Sequence, residues 1–314
     1  MSTYDRTVED VGNVVALEHV NTRVPDQQLA ILFYGTGLGL TRDPYLMTGV
    51  GNMWMNVGRS QFHLPTGAAQ VLRGHTGLVT PNRAALLRRL NAVKGPLEGT
   101  RFCVSEQAEF VEATCPWGNR IRLFAPCARF GRIQLGMPYV EFEAGVGTAD
   151  GIARFYREVM QTRASVGQDA EGRFACVSVG AGQDLYFRET AKPAPAFDGH
   201  HIAVYLADFS GPYRRLRERG LVTEESDQHQ YRFQDIVALD TGKVLFTVEH
   251  EVRSMRHPLY ARPLVNRNPE QTNRHYIAGR DAWVPDTTMA EMDDPRSAAR
   301  ERRFEEVMRR SAAE

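Results

Sequence analysis

The chain has 314 residues, 42% of them hydrophobic and 24% charged, which excludes disorder for most of it and allows sizeable cores. That length suits two domains of roughly 150 residues each. Lys+Arg and Asp+Glu number 38 each, so the basic excess that a sequence-independent hold on nucleic acid requires is missing overall. No apolar run reaches the ~18 residues of a membrane span. The opening MSTYDRTVEDVGNVV lacks a basic-then-apolar leader pattern. Cys103, Cys115, Cys127 and Cys176 form no C-x-x-C pair and read as reduced thiols of a cytoplasmic protein.

The elements repeat along the chain. The run LEHVNTRV alternates like a strand, a helix follows with Leu29, Leu32 and Phe33 at helical spacing, and strands rich in Val, Phe and Tyr come next. A second block opens on GHTGLV, has Leu86, Leu87 and Leu90 on a helix, and closes on PWGNRIRLF. MPYVEFEA opens a third block, and a fourth runs from GHHIAVYL to LDTGKVLFTV. Phe33-Tyr34 recurs as Phe155-Tyr156 after 122 residues, His75 as His201 after 126, and Gly118 as Gly242 after 124. Three ordered matches at nearly one offset indicate a duplication of a unit of about 120 residues, each copy holding two βαβββ blocks. Residues after 254 leave this pattern. They read as an extended arm and then, from Asp294-Pro295, a charged helix rich in Ala, Arg and Glu.

No phosphate-binding loop, G-x-S-x-G elbow or H-E-x-x-H helix occurs, and GTGLGL follows a helix, which marks a helix exit and not a nucleotide loop. The fourfold block order, with these words in these places, resembles the vicinal oxygen chelate superfamily over residues 14–250. That superfamily includes glyoxalase I, extradiol dioxygenases, methylmalonyl-CoA epimerase and antibiotic-resistance proteins. The resemblance implies an α+β fold of four βαβββ units paired into two cup-shaped mixed sheets, plus the arm and helix. Consecutive units would share a cup: one module over 1–130, a second over 131–254, and the C-terminal segment over 255–314.

In this family a divalent metal sits inside a cup, on ligands from the first and last strands of each unit. Carried over position by position, the first half offers His19, His63 and His75 as metal ligands, with Arg122 where the family often has Glu. An arginine cannot ligate, but it can pair with a substrate anion and so act in catalysis. The same positions of the second half read Tyr139, Tyr186, His201 and Phe246. Only His201 matches well there, as a catalytic residue, with Glu141 and Glu143 on the face of Tyr139. His250 shares the face of Phe246, and Glu249 points the other way. Trp54, Tyr139, Glu141, Tyr186, His250, His257 and Tyr260 are the candidate pocket residues.

Three imidazoles can hold Fe²⁺, Mn²⁺ or Zn²⁺ and leave positions open. They can also be ordinary polar residues of an inactive cup. The resemblance implies a metal-dependent enzyme, first an oxygenase of the extradiol type acting on a small oxygen-bearing substrate, aromatic in that type. An isomerase, a lyase, or a protein that sequesters a ligand without turnover fits the same residues. The arm is expected either to close over substrate or to join copies into a homo-oligomer. No partner among nucleic acids or membranes is expected.

Overall fold

The computed structural model describes residues 4–46 and 51–266. Four βαβββ units follow one another. The first holds β1 (Val14–Asn21), α1 (Gln27–Ala30) running on into a π-helical turn over Ile31–Gly37, β2 (Thr41–Arg42), β3 (Asn52–Val57) and β4 (Ser60–Pro65). The second holds β5 (Gly74–Val79), α2 (Arg83–Ala92), β6 (Cys103–Glu106), β7 (Phe110–Thr114) and β8 (Arg120–Phe124). The third holds β9 (Gly136–Gly145), α3 (Ala149–Phe155) with a π-helical turn over Tyr156–Met160, β10 (Ala164–Asp169), β11 (Gly172–Gly180) and β12 (Gln183–Thr190). The fourth holds β13 (His201–Leu206), α4 (Ser210–Glu218), β14 (Val222–Asp227), β15 (Gln230–Val237) and β16 (Val244–Ser254).

Local chemistry explains the helix starts and the repeated Phe-Tyr pair. Asp26 caps α1 by accepting from the N–H groups of Gln28 and Leu29 at 2.7 and 3.0 Å. Phe33, Tyr34, Phe155 and Tyr156 are all buried, and both pairs sit where the helix widens into a π turn. The widening rotates two bulky rings into the core at equivalent places in the two copies.

The strands form two mixed sheets of eight, in the orders β14-β15-β16-β13-β1-β4-β3-β2 and β10-β11-β12-β9-β5-β8-β7-β6. Unit one therefore shares a sheet with unit four, through the antiparallel pair β1 and β13. Unit two shares a sheet with unit three, through β5 and β9. The expectation that 1–130 and 131–254 each build one cup is corrected: each copy contributes one unit to each cup. The repeat equates unit one with three and unit two with four. Both pairings obey that equivalence, so the repeat alone does not choose between them.

Consecutive units are instead joined through their helices. A Cβ on Gly37 would lie 3.3 Å from Val93 and 3.5 Å from Leu90, so the π turn and the end of α2 are in close contact. One buried apolar cluster runs through all four units, each large side chain contributing about 1.5–3 kcal/mol. Gln183 ties the two sheets together. Its amide nitrogen donates to the carbonyls of Leu17 and Met137 at 3.2 and 3.1 Å, and its oxygen accepts from the Leu17 N–H at 3.1 Å.

The described part of the arm folds back on its own chain. The Arg262 guanidinium pairs with Asp43 at 2.8 Å, and Asp43 is fully buried. The Asn56 amide donates to the Val265 carbonyl at 2.8 Å, and Asn266 exchanges two 2.9 Å bonds with the Gly58 backbone. Arg267 onward, including the expected charged helix from Asp294, lies outside the described residues. Among the described residues no helix is long and apolar enough to cross a membrane.

His250 belongs to this core and not to a pocket, which corrects the expectation for it. It stacks on Phe233 at 4.2 Å, its Nε2 accepts from the Tyr156 hydroxyl at 2.6 Å, and its Nδ1 donates to the Val248 carbonyl at 2.9 Å. Burial pushes its pKa from 6.5 down to about 3. The unfolded chain therefore takes up this proton first as pH falls. Stability present above pH ~6.5 is lost below it, by about 2 kcal/mol at pH 5, and the loss continues to about pH 3. Urea unfolding at pH 7 and pH 5 should show His250→Gln losing less stability than the native chain by about that amount. An identical pH dependence in the two proteins would refute the assignment.

Candidate metal centre

Strand register brings three histidines together in the cup of units one and four. Along one transverse row, Trp54 pairs with His63, Asn21 with His63 and with His201, and His201 with Glu249. In the next row Asn56 pairs with Gln61, His19 with Gln61 and with Ala203, and Ala203 with Glu251. Paired residues project from the same side of a sheet, so these side chains line the concave face. The small Ala203 leaves room beside His19 and His201.

Nitrogen atoms of His19, His63 and His201 lie within 4.8 Å of one another. His19 Nε2 and His201 Nε2 are 3.4 Å apart, and His201 Nε2 lies 3.4 Å from a Glu251 oxygen. His19 is fully buried, His201 is nearly so, and His63 is half-buried. Trp54 stacks on His63 at 3.7 Å and stands edge-on to His19 at 4.9 Å, closing one side of the cluster. His63 Nδ1 accepts from the Asn21 amide at 2.7 Å, and its Nε2 donates to Asn52 at 2.6 Å. Burial, with His19 and His201 adding to it, pushes the His63 pKa to about 2, and burial also lowers that of His201. Both imidazoles are thus neutral, the form that binds metal.

A buried charge network surrounds the cluster. Glu251 pairs with Arg232 and Arg253, Glu249 with Arg232, and Glu18 with Arg253. Burial alone would raise the Glu18 and Glu251 pKa values. Bonds from His19 to Glu18 and from His201 to Glu251, together with the Arg253 charge, instead hold both below the ordinary carboxylate value. The Tyr205 hydroxyl donates to Glu18 at 2.7 Å, and burial and the Glu18 charge raise its pKa. The arm reaches this network: the Tyr260 and His257 rings lie 4.9 and 6.3 Å from that of Tyr205.

These donors fit a divalent ion. Two ligands at ~2.1 Å from one ion in tetrahedral arrangement stand ~3.4 Å apart, which is the separation of the two Nε2 atoms. An ion at His63 Nδ1 would replace the Asn21 contact.

The other cup differs. His75 lies there, not with His19 and His63, and so do Arg122, Tyr139, Glu141 and Tyr186. The structure brings His201, and not the expected His75, together with His19 and His63. His75 Nε2 meets the Tyr139 hydroxyl at 3.1 Å, and burial, reinforced by Arg122, Arg120, Arg188 and Arg129, pushes its pKa to about 2. The cup is filled. The Tyr139 ring occupies the space where a Cβ on Gly77 would stand, 2.1 Å away. Arg188 grips Glu141 at 3.0 and 3.1 Å, and Arg122 bonds Glu112 at 3.2 Å, so neither guanidinium needs an outside anion. Arg122 therefore stands apart from the three-histidine cluster, with its own partners.

Phe246 is also corrected. It packs on Phe142 and Phe187 in the core, and the side of β16 that faces His201 carries Glu249, Glu251 and Arg253. The alignment chose the wrong parity of that strand. Glu18, Tyr205, Arg232 and Glu251 were missed. Counting by two from His201 reaches Tyr205, but β16 pairs with β13 only after folding, and nothing local in the sequence assigns that register.

No family model and no curated protein sequence matches the chain. Solved structures do. A putative dioxygenase from Bacillus subtilis is similar at 17% identity with a TM-score of 0.54, covering 78% of this chain and 86% of that one. Glyoxalase I from Zea mays is similar at 11% identity with a TM-score of 0.53, covering 76% and 92%. The paired βαβββ units, the two cup-shaped sheets and these likenesses together give the chain the vicinal oxygen chelate fold.

Proposed function

We propose that the chain is a metal-dependent enzyme whose cup of units one and four holds a divalent ion through His19, His63 and His201. The observation that carries this is the close facing of imidazole nitrogens, two of them at 3.4 Å. The surroundings support it. Three carboxylates (Glu18, Glu249 and Glu251) against two guanidiniums (Arg232 and Arg253) leave one negative charge that favours a cation. Imidazoles beside a carboxylate suit Fe²⁺ first, with Mn²⁺ or Zn²⁺ as the other candidates. Such an ion would supply Lewis acidity to two neighbouring oxygens of a substrate.

The reaction proposed is an oxygenation of a small oxygen-bearing aromatic compound. Trp54, Tyr205 and Tyr260 offer apolar ring faces and edges near the cluster. One similar structure bears the name dioxygenase. Isomerisation or lysis by proton transfer is less favoured, because Glu18, Glu249 and Glu251 are each already paired with a guanidinium. That same pairing favours ligand sequestration as the second reading. A cytoplasmic location and a homo-oligomer held by the C-terminal segment complete the proposal. Gel filtration of a chain ending at Asn266 tests the latter.

Metal content decides the main reading. After dialysis against chelator, reloading with Fe²⁺, Mn²⁺ or Zn²⁺ should give one ion per chain and raise the melting temperature. Failure with all three refutes the proposal. Oxygen consumption by the Fe²⁺ form over a panel of catechols separates oxygenation from sequestration.

A further inference from the structure

The geometry points to Glu18 as a positioning residue for His19, an inference that rests on the metal reading above. Simple alternation along β1 would send Glu18 to the face opposite His19, among the core side chains. An uncompensated buried carboxylate there would be costly. The pairing of β1 with β13 slips between Leu17 and His19, however, and this irregularity leaves Glu18 beside His19. Glu18 is 8% exposed. One of its oxygens faces His19 Nδ1 at 3.1 Å and pairs with Arg253, and the other accepts from the Tyr205 hydroxyl at 2.7 Å.

The consequence lies in the proton. A carboxylate held ionised by a guanidinium only accepts hydrogen bonds. His19 Nδ1 must then carry the ring hydrogen and donate it to Glu18. The contact holds the ring so that His19 Nε2 is the atom aimed at His201 Nε2, 3.4 Å away. Glu249 likewise lies 3.4 Å from His201 Nδ1, with Glu251 3.4 Å from the Nε2 of the same ring, and it reaches His201 through regular pairing without a slip. The irregularity in β1 thus supplies to His19 what ordinary register supplies to His201. A carboxylate behind a ligating imidazole fixes its tautomer and raises its basicity.

Two measurements on the full chain test this. In the metal-free protein, imidazole ¹⁵N shifts should show His19 protonated at Nδ1. With Co²⁺ alone as probe, Glu18→Gln should weaken binding about 10–100-fold and alter the cobalt absorption spectrum. Tyr205→Phe, which leaves the contact between Glu18 and His19 in place, should change the spectrum little. A His19 bare at Nδ1, or Glu18→Gln binding Co²⁺ like the native chain, overturns the inference. If the native chain binds no Co²⁺, the metal reading fails, and the ¹⁵N shifts still decide the role of Glu18. If Glu18→Gln does not fold, the native ¹⁵N shifts alone decide it.

Discussion

Alanine at His201 should lower metal affinity by more than about 100-fold, beyond the loss typical of an outer-shell partner. Alanine at His19 or His63 should do the same, and alanine at His75 should leave uptake unchanged. The contrast is sharp because His75 and His201 are equivalent under the duplication yet sit in different cups. Around His201, three imidazoles and an acidic surround face a common space. Around His75, a tyrosine hydroxyl takes the nitrogen and arginines crowd the ring. Metal titration of the four variants checks this. Loss of uptake in His75→Ala, with uptake retained in His201→Ala, would reverse the assignment of the cups.

Arg253→Met should destabilise the metal-free chain by about 3–5 kcal/mol. The Arg253 side chain is 8% exposed and lies between the Glu18 and Glu251 carboxylates, which are themselves 9% and 4% exposed. Removing it leaves carboxylates in a low-dielectric site with part of their compensation gone, a larger cost than the pairing itself contributes. Glu251 keeps Arg232, and Glu18 keeps Tyr205 and His19, so the chain should still fold. The double variant Arg253→Met, Glu18→Met should recover part of the loss, because it removes a stranded charge along with its partner. Denaturant unfolding measures both. A cost under about 1 kcal/mol would place the network in the class of solvent-screened surface pairs.

The unit structure was legible because it is local. Leu86, Leu87 and Leu90 declare a helix, LEHVNTRV declares a strand, and the recurring Phe-Tyr pair declares the duplication. His19 and His63 were legible too, since both lie in one unit. Which units share a sheet was not. That depends on edges meeting across long stretches of chain, Asn21 against His201 and Gly77 against Tyr139. His75 and His201 exchanged roles for this reason alone. Glu18 was hidden differently: a register slip beside it defeats the alternation by which strand faces are read. Glu251 was hidden because Gly242 was matched to Gly118 and the count then ran on to Phe246, one parity away from the carboxylates.

The most direct test of the central claim is anomalous diffraction from crystals of the chain loaded with Fe²⁺, Mn²⁺ or Zn²⁺, recorded at the metal edge. A single peak among His19, His63 and His201 is the predicted result. A peak beside His75, or none within reach of the three imidazoles, would contradict it.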